Sequence, residues 1–152
     1  MNTQYTRKSG CAIIQVAHPS FDRSTESDQA RNGGFRPEPV ANQFLYGEPE
    51  LVALDRQQTR IAEGWPMKLA GEEAQRLYRA LLAHPDADRL ALVTLENGNR
   101  FAVPADQIDL ASGYTSGVAV REALTVDARN LRARIARLVE HAGKIVGEFD
   151  ES

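Results

Sequence analysis

"LALVTLENGNRFAVP", residues 90–104, decides the fold class. Two apolar runs flank Asn97-Gly98, the residue pair most suited to a tight hairpin because both residues tolerate positive φ. A two-residue loop would set Thr94 opposite Phe101, Leu92 opposite Val103 and Ala91 opposite Pro104. Phe101, Val103, Leu90 and Leu92 are then expected to share a buried face. Pro104 has no N–H to give a neighbour, which places the second strand at a sheet edge. Leu90 to Leu95 is apolar on both faces and reads as the inner strand.

Outward from the hairpin, Gly71 to Ala83 predicts a helix. Glu72 and Glu73 lie in its first turn, where the helix dipole favours negative charge. Ala74, Leu77, Tyr78, Leu81 and Leu82 follow the spacing of one buried stripe. Thr125 to Val146 predicts a second helix, with Thr125 as its cap. Its apolar arc holds Leu131, Ile135, Leu138 and Ala142, with Arg129, Arg132, Arg137 and Lys144 opposite. Glu50–Asp55 and Thr59–Glu63 read as two strands or as one helix bearing Leu51, Leu54 and Ile61; the closing Gly64 and Pro66 favour strands. Cys11 to Ala17 is short and β-branched, hence a strand. The expected fold is α+β: a small antiparallel sheet of about four or five strands, packed by helices near 71–83 and 125–146.

At 152 residues the chain is long enough for one domain with a real core. Residues 1–10 read as a flexible polar tail and 11–147 as the domain. Within it 18–48 form a long loop, and 148–152 read as a frayed acidic tail. Residues 22–34 hold almost no apolar side chain and are expected to be mobile, with 35–46 better anchored. One cysteine rules out an internal disulfide and suggests a reducing, cytoplasmic setting. No apolar stretch is long enough for a signal peptide or a membrane span.

The net charge of −3 argues against binding nucleic acid by overall charge. Gly47 to Leu124 carries 8 basic and 12 acidic residues, and Thr125 to Val146 carries 5 basic and 2 acidic ones. An acidic middle thus precedes a basic end. Nucleotide-binding glycine motifs and the nucleophile elbow G-x-S-x-G are missing, and Cys11 lies in an apolar run that would make its thiol inert. His84-Pro-Asp86-Ala-Asp88 groups an imidazole with two carboxylates, a combination able to hold a divalent ion, although a polar helix exit has the same composition. No cofactor is expected.

These features give three functional expectations. The foremost is a non-enzymatic interaction or regulatory domain, such as an inhibitor or accessory protein acting on a basic, nucleic-acid-handling partner. Its anchors would come from the long loop and its exit: Phe21, Phe35, Arg36, Phe44 and Tyr46, since aromatics and arginine dominate binding energy. Gly33-Gly34 would give backbone access to an anion. The second is a nucleic-acid accessory protein using Arg129, Arg132, Arg137 and Lys144. The third is an enzyme assembled around His84, Asp86 and Asp88. A homodimer through the C-terminal helix is a further expectation.

Overall fold

The computed structural model describes residues 4–5, 7–14, 34–35, 37 and 45–146, with the side chains of 7, 8, 11, 12 and 143–146 left aside. The protein is α+β, and its sheet has four antiparallel strands. In chain order the elements are α1 (Arg7–Ile14), α2 (Glu48–Ala62), α3 (Met67–Ala83), β1 (Arg89–Leu95), β2 (Arg100–Pro104), β3 (Tyr114–Thr115), β4 (Val118–Asp127) and α4 (Ala128–Val146). Contacts group into two units: Met1–Tyr78 with Arg132–Ser152, and Arg79–Leu131.

The first unit is helical. Cys11 to Ile14, expected as a strand, is the second half of α1. Its Ile13 and Ile14 are buried, and two residues before α1 begins Tyr5 exchanges two backbone hydrogen bonds of 2.8 Å with Tyr46. Part of the expected polar tail is therefore tied down. Residues 50–63 are one helix, not two strands. Pro49 in the first turn lacks the N–H that would be orphaned there anyway. Glu48 and Glu50 complement the dipole, and the Glu50 carboxylate accepts from the Gly47 N–H at 2.8 Å. Leu51, Val52 and Leu54 are its buried stripe. The helix ends in a Schellman motif. Gly64 takes φ +96°, its N–H reaches the Ile61 carbonyl, and the Trp65 N–H reaches that of Arg60. Helix α3 follows at once, four residues earlier than its sequence pattern suggests, with Ala70, Ala74 and Leu77 buried.

The second unit holds the sheet, in the order β2-β1-β4-β3. Strand β1 is internal and β2 is an edge, as the two-faced apolar run and Pro104 imply. The register differs by one residue from the expected one. Val93 faces Phe101 and Ala91 faces Val103. The connection is a three-residue loop: the Gly98 N–H returns to the Leu95 carbonyl at 2.9 Å and the Leu95 N–H to the Asn99 carbonyl at 2.8 Å. Only Gly98 has positive φ, so this is a turn followed by a left-handed glycine rather than a type I′ pair. Asn97 instead accepts the Asn99 N–H on its side-chain oxygen at 3.0 Å. A one-residue slip moves every side chain to the other face. Phe101 and Val103 therefore pack, half-buried, on Ala91, Val93 and Leu95, while Leu90 and Leu92 are buried on the opposite face.

The type I′ geometry occurs elsewhere. Ser116 and Gly117 both have positive φ and join β3 to β4 with a two-residue loop. Strand β4 extends to Asp127, so Thr125 belongs to a strand and does not cap the last helix. Asp127 takes that role: its carboxylate accepts from the Asn130 N–H at 3.0 Å. Along α4, Ile135 and Ala142 are buried as expected, whereas Leu131 and Leu138 are half-buried. Leu82, expected in the buried stripe of α3, is exposed.

Candidate functional site

The proposed anchors fall in different places. Phe35 is fully buried, edge-on to Tyr78 with ring centroids 5.2 Å apart. Its backbone N–H donates to the buried side-chain oxygen of Gln57. Tyr46 is likewise buried, and Gly34 is half-buried. Phe35 and Tyr46 thus belong to the core of the first unit and present no surface to a partner. Phe21, Gly33, Arg36 and Phe44 lie outside the described residues, as does most of the 18–48 loop.

The arginines of α4 are partly committed within the first unit. Arg134 forms a two-pronged pair with Asp55, at 2.9 and 3.2 Å. Those hydrogen bonds raise the Arg134 pKa further. Arg132 lies 3.6 Å from the Glu48 carboxylate and is half-buried rather than exposed. Arg129 and Arg137 are exposed, and the side chain of Lys144 is outside the described set. Two of the helix's cations therefore face carboxylates of α2, which weakens its use as a phosphate-reading stripe.

His84, Asp86 and Asp88 line an open pocket of about 870 Å³ in the second unit, with Arg89 and Asp106. The His84 Nε2 lies 3.3 Å from the Ala102 carbonyl on edge strand β2. Among the described residues no group of three or more His, Cys, Asp or Glu is arranged to hold a metal ion.

The turn between α2 and α3 presents a different arrangement. The Schellman motif and Pro66 hold Trp65 at the surface, 37% exposed, and Leu69 follows at 51%. The Arg60 guanidinium stacks over the indole, 4.5 Å from the ring centroid. Arg60 is itself fixed. It donates to both oxygens of Glu73, at 2.7 and 3.0 Å, and to Glu63 at 3.0 Å. Arg56 adds a contact to Glu73 at 3.3 Å. The outcome is an exposed tryptophan whose ring is held by a charge network before any partner arrives, which lowers the entropy lost on binding. The sequence carries one signal for it: the only tryptophan in the chain stands in Gly64-Trp65-Pro66, a turn.

That network makes a pH prediction. Burial by itself would raise the Glu73 pKa, but the hydrogen bonds and charges of Arg60 and Arg56 outweigh it, and the carboxyl titrates below its usual range. A depressed folded-state pKa contributes stability above the unfolded value, and that contribution fades as pH falls toward the folded one. The melting temperature of the native protein should therefore drop from about pH 5 downward. Glu73→Gln should melt lower at neutral pH and show a flatter acid limb. Parallel acid limbs for the two proteins would contradict the assignment.

The sequence matches no protein-family model and no curated protein.

Proposed function

We propose that the protein is a non-enzymatic interaction domain that docks a protein partner at the α2–α3 turn, with Trp65 and Leu69 as anchors. The observation that supports the reading is the Trp65 ring, exposed and stacked on an Arg60 that Glu73 and Glu63 hold in place. Tryptophan and arginine carry a disproportionate share of interface energy. An exposed indole on a rigid support gives area at little entropic cost. The excess of acidic residues between Gly47 and Leu124 favours a partner with a basic surface, since charge complementarity speeds encounter and suppresses wrong partners. A regulatory or inhibitory role toward a nucleic-acid-handling protein fits that charge. The reading of α4 as a nucleic-acid stripe is less well supported, because Arg132 and Arg134 face Glu48 and Asp55.

The test is quantitative capture from extracts of cells that express the protein, comparing wild type with Trp65→Ala and Leu69→Asp. Leu69→Asp should melt within a degree or two of wild type, and Trp65→Ala, which gives up the stacking on Arg60, a few degrees lower while still folding cooperatively. A specific partner should lose at least roughly 2 kcal/mol of affinity, about thirtyfold, on removal of the tryptophan. Undiminished capture by both variants would overturn the assignment. Binding that disappears on nuclease treatment would support the nucleic-acid reading instead.

A further inference from the structure

We propose that the open outer edge of β4, Arg121–Asp127, pairs antiparallel with the same edge of a second copy of the chain, about a two-fold axis at Leu124. This is a surface separate from the Trp65 turn, and it moves self-association from the last helix to the sheet.

Strand β4 has ten residues, and β1 pairs with it from Val120 to Asp127, except at Arg121, the extra residue of a bulge where the register shifts. On its other side β3 covers only Val118 and Ala119, with one more bond of 2.8 Å from the Val120 N–H to the Gly113 carbonyl. The Leu95–Asn99 bond fixes which backbone groups point where. Odd-numbered residues of β1 turn toward β2, so Leu90, Leu92 and Thr94 turn toward β4 and bond Val126, Leu124 and Glu122. Ala123 and Thr125 must then direct their N–H and C=O groups outward. Both residues are exposed, and among the described residues these groups have no hydrogen-bond partner.

Natural sheets protect such edges with proline, lysine, bulges or very short strands, and here the one bulge lies at the Arg121 end, outside Glu122–Asp127. Residues 121–127, REALTVD, contain neither proline nor lysine. The edge is instead complementary to itself. Antiparallel pairing about Leu124 sets Ala123 opposite Thr125 of the second copy, joining the outward donors and acceptors in two hydrogen-bonded pairs. Leu124 meets Leu124, and the bulged Arg121 comes beside Asp127 at both ends, opposite charges each time. Arg121 is 52% exposed and held only by a 3.4 Å bond to the Glu96 carbonyl and a 4.0 Å contact with its carboxylate. Asp127 is 39% exposed, and its carboxylate, which accepts from Asn130 at 3.0 and 3.1 Å, keeps lone pairs for a second donor.

Leu124 is also the midpoint of the available edge. Centring on Ala123 would drive Val126 and Asp127 against Val120 and Ala119, which Gly113 and Tyr114 already occupy. Centring on Thr125 would bring the second copy's α4 against Arg121 and Glu122. Seven paired residues extend about 23 Å. A junction of that size is smaller than a standard interface, so the dimer should be weak and dependent on concentration.

Sedimentation of the full chain across the micromolar range should show a reversible monomer–dimer equilibrium. Arg121→Asp, which sets like charges at both ends, should weaken it by roughly tenfold or more while leaving the melting curve and partner capture unchanged. In a Cys11→Ser background, Leu124→Cys should oxidise to a disulfide-linked dimer, because facing residues of a non-hydrogen-bonded pair are close enough to bridge. Ala123→Cys should do so far less. A chain that stays monomeric throughout would overturn the proposal. So would a dimer that Arg121→Asp leaves intact, or one in which Ala123→Cys cross-links better than Leu124→Cys. Should the Leu124→Cys protein fail to fold, the Arg121→Asp comparison decides alone, since that side chain is exposed.

Discussion

Phe35→Ala should destabilise the protein by about 3–5 kcal/mol in denaturant unfolding, the range for losing a fully buried phenylalanine. The ring is completely covered and packs edge-on against Tyr78. Its removal leaves a cavity and gives up an aromatic contact. The position is further tied by the bond from its backbone N–H to Gln57, a side chain with no exposure. This result bears on function as well as folding. The aromatic content around the long loop makes Phe35 look like a binding anchor, and a core residue cannot serve as one while it stays buried. A loss below about 1 kcal/mol, accompanied by loss of partner capture, would return Phe35 to the binding surface and contradict its placement.

Leu92→Ala should cost about 2–5 kcal/mol, and Phe101→Ala less, about 1–2 kcal/mol, although phenylalanine is the larger residue. Leu92 is 1% exposed on the internal strand, whereas Phe101 is half-buried on an edge strand. The order of these losses follows from the register. Val93 and Phe101 lie directly opposite each other, so a double-mutant cycle between them should return a coupling of roughly 0.5–1 kcal/mol. The cycle between Leu92 and Phe101, on opposite faces, should return nearly none. Equal couplings, or a larger one for Leu92, would mean that the hairpin has the two-residue register instead.

These cases show what was legible in the residues. The hairpin, its internal strand and its edge were legible because Asn-Gly, a two-faced apolar run and a proline each have one physical meaning. The loop length was not. Asn97-Gly98 fits a two- or a three-residue turn, and a strand apolar on both faces does not choose between the registers. Helix α2 was ambiguous for want of apolar residues, yet Glu48-Pro49-Glu50 is a helix start that outweighs Gly64 and Pro66, which merely close it. Strand β4 was obscured because Ser116-Gly117 is a weaker turn signal than Asn-Gly, and because its end at Thr125–Asp127 resembles a helix cap.

The candidate site was the least legible part. Arg134 and Asp55 are 79 positions apart, and no local pattern reveals that two cations of a basic helix are matched by carboxylates of α2. Trp65, a lone tryptophan in a turn, was passed over in the sequence in favour of the loop aromatics. Its significance came only with the charge network that fixes Arg60 beneath it.

Because the chain has one tryptophan, its fluorescence reports on the proposed docking surface directly. Iodide quenching should reach Trp65 readily in the isolated protein and be strongly reduced when a captured, tryptophan-free fragment of the partner is bound. The same quenching with and without bound partner would place the interaction elsewhere on the molecule and contradict the account.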